Sequence, residues 1–145
     1  INVNGTRNVT DSLINRIPNQ GRIIITSSIW GKTAVGGFSA YVASKHANVG
    51  LMRTWAKELG PRGICVNAIC PGWVRTGPAM SSLGDLARTQ GTSQESLLAE
   101  IMSAQAIDGL MTPEDMAETY MFLASEGGRN ITGQAINVDR GEVMS

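Results

Sequence analysis

Arg22-Ile23-Ile24-Ile25-Thr26 sets three β-branched residues in a row between Pro18-Asn19-Gln20-Gly21 and the Gly- and Ser-rich stretch from Ser27 to Ser39. A short continuous apolar run bounded by turn residues predicts a strand covered on both faces, as in a parallel sheet. The Ser27–Ser39 loop leads into a helix predicted over about Ala40–Leu59. Its apolar stripe is Ala43, Ala47, Leu51, Met52, Trp55, Ala56 and Leu59, close to helical period. Gly60-Pro61-Arg62-Gly63 stops that helix. Ile64 to Ile69 then predicts a second strand, ended by Pro71-Gly72.

Outward from this strand–helix–strand unit the pattern continues. Upstream, Val9, Leu13, Ile14 and Ile17 have helical spacing. Downstream, residues 73–111 are mixed, with one helix predicted at Gln94–Ala106. Thr112-Pro113-Glu114-Asp115 reads as a helix start, with Thr as N-cap, Pro at the first position and Asp at the third. Ala135–Val138 reads as a last strand. Alternating strands and helices imply an α/β chain with a parallel sheet. Three strands leave the first one with an uncovered edge carrying Ile23, Ile24 and Ile25, an aggregation-prone arrangement unless another strand pairs there. We therefore expect further strands before Ile1.

The 145 residues fit one domain, 1–145. With 12 basic and 12 acidic side chains the net charge is zero, so no basic excess points to nucleic acid or anionic lipid. No uncharged run exceeds a dozen residues, short of the roughly 20 a spanning helix needs, and no secretion signal is visible. We expect neither a nucleic-acid nor a membrane partner. Two cysteines, Cys65 and Cys70, are too few for a disulfide scaffold or a zinc site. No metal is expected, and both read as small core residues.

Tyr41 and Lys45 stand four apart at the start of the long helix, a spacing that puts both on one face. An ammonium beside a phenol favours the phenolate, which suits the phenol to moving a proton. Taken alone, the pair is as readily a tyrosine at the core edge and a lysine in solvent. Its neighbourhood is more specific. Ser28 lies thirteen residues ahead of Tyr41, Ile1-Asn2-Val3-Asn4-Gly5 opens the chain, and Val66-Asn67-Ala68-Ile69-Cys70-Pro71-Gly72-Trp73-Val74-Arg75-Thr76 follows. In this order and spacing the set resembles the short-chain dehydrogenase/reductase family, from Asn2 to the end of the chain.

The resemblance implies a Rossmann-type doubly wound parallel sheet, of which this chain is the C-terminal portion. It implies a catalytic set falling on Asn2, Ser28, Tyr41 and Lys45, with Ser27 the rival to Ser28 and Asn4 the rival to Asn2. Tyr41 would be the general acid/base on the substrate oxygen. Ser28 would hydrogen-bond that oxygen, Lys45 would favour the phenolate and bond the nicotinamide ribose, and Asn2 would hold a water in a proton relay. Tyr41, Lys45, Pro71, Gly72, Val74 and Thr76 would contact NAD or NADP. Residues 77–111 would form the substrate loop, where Met80, Leu83, Leu86, Met102 and Met111 either line a pocket or simply pack. Trp73 is expected to pack at the core or rim, His46 to sit at a surface or interface, and Asn67 to bond backbone. Asp139 resembles the family's C-terminal strand end, but Arg140 stands where a glycine is usual, which leaves the local turn in question.

The family's Thr-Gly-x-x-x-Gly-x-Gly loop and its Asn-Asn-Ala-Gly segment have no match here. Two readings follow. One is a portion of an NAD(P)-dependent enzyme that interconverts a small-molecule alcohol and carbonyl, homotetrameric at full length and cytoplasmic, with the 145-residue portion inactive by itself. The other is a truncated non-catalytic chain that serves as an oligomer-forming interaction partner.

Overall fold

The computed structural model describes residues 1–144. The chain runs α1 (Asn2–Leu13), β1 (Arg22–Thr26), α2 (Ser39–Leu59), β2 (Cys65–Pro71), α3 (Gly77–Gln90), α4 (Gln94–Ser103), α5 (Pro113–Ala124) and β3 (Ala135–Val138). The three strands form one parallel sheet in the order β1-β2-β3. This is the α/β arrangement that the sequence predicts.

The pleat explains the continuous apolar runs. Successive side chains point to opposite faces, and both faces are covered. Ile23, Ile25, Val66, Ala68 and Cys70 pack with Val49, Met52, Trp55, Ala56 and Leu59 of α2. Ile24 and Ile69 pack on the other face with Met116, Tyr120 and Leu123 of α5. Asn67 is the polar exception on β2, 1% exposed. Its amide donates to the carbonyl of Ile131 at 2.7 Å and accepts from the N–H of Gln134 at 3.1 Å, so it pins the approach to β3. That is the backbone-bonding role expected of it.

The buried stripe of α2 differs from its apolar periodicity at one end. Ala43 is exposed, and Asn48 and Val49 are buried instead. The first turns of α2 face the loop that follows β1, and only from Asn48 onward does the helix lie on the sheet. The short 3-10 turn Ile29–Gly31 fills that space. A Cβ on Gly31 would meet the Ser27 Oγ at 2.5 Å and the Lys45 carbonyl at 2.9 Å, so only glycine allows this approach.

The region after β2 holds two helices where one was expected. α3 is the addition, and α4 ends at Ser103 rather than Ala106. Gly77, Gly84, Ser81 and Ser82 are weak helix formers and mask the pattern. Burial decides it: Leu83 and Ala87 pack with Trp73 and Leu97, and Met80 and Leu86 flank them. The termini carry ordinary signals. Thr76 Oγ1 accepts from the N–H of Ala79, and Gly91 closes the helix at φ +67°. The start of α5 matches its sequence signature, since the Asp115 carboxylate accepts from the N–H of Thr112 at 2.7 Å.

β1 pairs with β2 on one side, and no strand among the described residues pairs on its other side. A groove of about 620 Å³ lies there, between Thr6, Val9 and Leu13 of α1 and Ile23 and Ile24 of the strand.

Candidate active site

β1 and β2 end side by side, and α2 starts above them. In an open parallel sheet this is where ligands bind, beyond the carboxyl ends of the strands. A cavity of about 270 Å³ occupies the place. Ser28 and Tyr41 line it from one side, and Gly72, Trp73, Val74 and Thr76 from the other.

Ser28 is 7% exposed. It caps the 3-10 turn, its Oγ accepting from the N–H of Trp30 at 3.1 Å. That bond uses a lone pair, so the hydroxyl hydrogen remains available to an oxygen in the cavity. Ser27 faces the other way and donates to the carbonyl of Lys45 at 3.0 Å. Of the two serines, Ser28 is the one at the cavity.

Tyr41 is 38% exposed at the cavity mouth. The Lys45 Nζ lies 5.3 Å from the centre of its ring and donates to the carbonyl of Thr26 at 3.1 Å. An ammonium has three hydrogens, so this anchor leaves donors for a ligand. Burial lowers the pKa of Lys45 below the ordinary lysine value, and the neighbouring Cys70 opposes that shift. Burial pushes the Cys70 thiol up, and the nearby ammonium groups of Lys32 and Lys45 oppose that rise. Both Cys65 and Cys70 are buried and unbonded to each other, as core residues.

Asn2 lies outside the cavity lining. Its amide donates to the Ser44 Oγ at 3.1 Å, and Ser44 in turn donates to the carbonyl of Tyr41 at 2.7 Å. The start of α1 is thereby tied to the turn of α2 that carries Tyr41 and Lys45. Pro71 also lies outside the lining, paired with Val138 in the sheet. Gly72 is held tightly: a Cβ there would meet the Cβ of Asp139 at 2.8 Å.

Ile29, Trp30, Phe38, Pro78, Ala79 and Ser82 complete the lining, and sequence reasoning did not single them out. Trp30 was findable, because it follows Ser28 by two residues in a loop otherwise rich in small ones. Of the hydrophobic residues expected either to line a pocket or to pack, Leu83 and Met111 are 0% and 2% exposed and pack inside the protein. Trp73 does both, since it is 8% exposed in its cluster with Leu83, Ala87 and Leu97 and also lines the cavity. His46 is exposed, its Nδ1 3.0 Å from the carbonyl of Val42.

A family model described as enoyl-(acyl-carrier-protein) reductase matches residues 1–142. A solved structure of a short-chain dehydrogenase family protein from Francisella tularensis superposes with a TM-score of 0.89 at 26% identity, over 97% of this chain and 58% of that one. The chain belongs to the short-chain dehydrogenase/reductase family. It corresponds to the C-terminal portion of a member and spans about half the length of the curated relatives it matches. The D-β-hydroxybutyrate dehydrogenase of Rhizobium meliloti is 38% identical over 122 residues, covering 83% of this chain and 47% of that protein. A 3-oxoacyl-(acyl-carrier-protein) reductase from Brucella melitensis, solved with bound NAD, aligns with all of this chain and 50% of its own at a TM-score of 0.79 and 28% identity. Among such short-chain dehydrogenase/reductase structures, cofactors bound include NAD and NADPH.

The residues present fit the nicotinamide end of such a cofactor. Thr76 Oγ1 accepts from Ala79 and keeps its own hydrogen to donate. Lys45 keeps ammonium hydrogens, and Val74 adds an apolar side chain to the lining that Thr76 shares. No helix of the described residues is long and apolar enough to cross a membrane. No group of three or more metal-ligating side chains occurs among them.

Proposed function

We propose that this chain supplies the catalytic half of a single dinucleotide-binding domain in an NAD(P)-dependent oxidoreductase that interconverts a small-molecule alcohol and a carbonyl. The observation that carries the reading is one cavity lined by both Ser28 and Tyr41, with Lys45 against the Tyr41 ring.

When bound, the nicotinamide supplies or accepts the hydride. The protein manages the oxygen. In reduction, Tyr41 gives its phenolic proton to the carbonyl oxygen, and in oxidation it takes the proton back. Ser28 donates to the same oxygen and stabilises charge as it develops there. Lys45, held by the carbonyl of Thr26, offers a donor to the ribose. Gly72, Val74 and Thr76 bound the nicotinamide, with Pro71 setting the path of the strand end. Asn2, through Ser44, holds the turn on which a water relay would start.

The complete protein would be a cytoplasmic homotetramer pairing through α2 and β3. Replacing Tyr41 by Phe tests the reading: we expect kcat to fall by about 10²–10⁴-fold, the usual worth of a positioned general acid, with the melting temperature unchanged. Retained turnover would refute it. A second reading, an interaction partner without catalysis, is favoured by the open edge of β1 and its groove. Titration with nicotinamide nucleotide separates the two, because a pure interaction module binds none.

A further inference from the structure

The cavity beside Ser28 and Tyr41 has an unusual wall. Trp30 packs at 5.3 Å from Phe38, 6.0 Å from Tyr41 and 5.8 Å from Trp73, centre to centre. It meets Tyr41 and Trp73 edge-on, at 89° and 86°, and Phe38 at 41°. All four rings line the cavity. Each ring is braced by another, so the wall is rigid and flat-sided. Aromatic rings favour offset or edge-to-face contact with a further ring.

The polar side-chain groups of the lining are the hydroxyls of Ser28, Tyr41, Thr76 and Ser82 and the indole N–H groups of Trp30 and Trp73, and none of the described lining residues carries a charge. Lys32 donates to the carbonyl of Ala135; Lys45 donates to the carbonyl of Thr26 and, on the oxidoreductase reading, turns its remaining donors to the cofactor ribose. Arg75 stands between two lining residues but is itself exposed and outside the lining. A carboxylate or phosphate brought into such a space loses its hydration with no counter-charge to replace it, which is costly. A neutral ring loses nothing polar and gains the aromatic wall. On the oxidoreductase reading the nicotinamide shares this cavity of about 270 Å³ at Gly72, Val74 and Thr76, which leaves the Trp30 and Phe38 side to the substrate.

We infer that the substrate is a neutral carbonyl or alcohol compound bearing an aromatic or other flat apolar group, and that the site rejects substrates with a carboxylate next to the reacting carbon. The inference rests on the oxidoreductase reading and narrows it. It also separates this chain from the Rhizobium relative, whose name specifies a hydroxy acid.

The test uses the full natural protein with its preferred nicotinamide cofactor and two ketones that differ at one substituent. Acetophenone carries a methyl group where benzoylformate carries a carboxylate. We expect kcat/KM for acetophenone to exceed that for benzoylformate at least tenfold. Replacing Ser82 by Arg, which sets a cation in the lining, should cut this ratio at least tenfold. Replacing Trp30 by Ala should raise KM for acetophenone more than it lowers kcat. Equal or better turnover of benzoylformate by the unaltered protein overturns the inference.

Binding is read separately on the Tyr41→Phe protein saturated with oxidised cofactor, by equilibrium dialysis. Tighter binding of acetophenone than of benzoylformate supports the substrate class even if no ketone is reduced, a result that would instead count against the reaction. Absent or weaker acetophenone binding overturns the substrate class and leaves the reaction to the Tyr41→Phe kinetics.

Discussion

At the scale of single residues, the site depends on close approaches that side chains would block. Gly72 is the sharpest case. It joins β2 to the cavity wall with its backbone against Asp139, whose Cβ and Cα would lie 2.8 and 3.1 Å from an added methyl. Asp139 cannot retreat, because its carboxylate accepts from the N–H groups of Gly141 and Val143. Gly72→Ala should therefore cost roughly 1–3 kcal/mol, the range for forced overpacking. Urea unfolding would show it as a lower midpoint at constant slope. Asn67 makes the opposite point, as a fully buried polar residue whose amide is satisfied on both sides, which is why a strand core tolerates it.

At the scale of elements, the turn after β3 answers the question its sequence raises. Arg140 occupies the left-handed region at φ +55°, and Gly141 follows at +79°. A non-glycine residue pays roughly 1–2 kcal/mol there. The guanidinium gives something back: it donates to the carbonyl of Asp108 at 2.6 Å and lies 3.8 Å from the Asp115 carboxylate. The Arg140 carbonyl also accepts from the N–H groups of Ala106 and Ile107. The residue thus ties the segment after α4 and the start of α5 to the end of the last strand. Arg140→Ala keeps the backbone cost and loses the side-chain ties, while Arg140→Gly loses the ties and relieves the cost. The glycine variant should be the more stable of the two by about 1 kcal/mol, measured by thermal unfolding. The reverse order would show that the turn carries no strain.

Glu142, in the same segment, sets a pH dependence. Burial raises its carboxyl above the ordinary 4.5; the Gln105 amide opposes the shift and the Asp139 charge adds to it. The folded protein then holds this proton more tightly than the unfolded chain. The contribution is fully present below 4.5 and is lost as pH rises through the folded value. Glu142→Gln should raise the melting temperature at pH 7, by no more than about 4 °C for a half-exposed group. The gain should vanish at pH 4.

At the scale of the whole molecule, β1 and β3 are the outer strands of the sheet among the described residues. β1 offers an unpaired edge with Ile23 and Ile24 half-buried beside an apolar groove, the arrangement that invites pairing with another chain. No glycine-rich phosphate loop accompanies the nicotinamide end. The 145-residue chain by itself should therefore show no NADH- or NADPH-dependent turnover of a ketone panel, and light scattering should show it associating as its concentration rises. Turnover by this chain alone would overturn that expectation.

What the sequence determined by itself was local or strongly ordered. The β-branched run between turns specifies β1, the stretch ended by Pro71-Gly72 specifies β2, and helical periodicity with a stop signal specifies α2. Thr112-Pro113-Glu114-Asp115 starts α5, because capping is settled within one turn. The order of Ser28, Tyr41, Lys45 and the segment after Asn67 was enough to indicate the family. What only the tertiary structure decided depends on partners distant in sequence. α3 is helical despite weak formers because Leu83 and Ala87 have Trp73 and Leu97 to bury against. The buried face of α2 shifts to Asn48 because its first turns meet the 3-10 turn rather than the sheet. Trp30, Phe38 and Trp73 become one wall only when the loops after β1 and β2 are folded over the same strand ends. The left-handed backbone of Arg140 is offset in part by Asp108 and Asp115, far off along the chain, which hold its side chain.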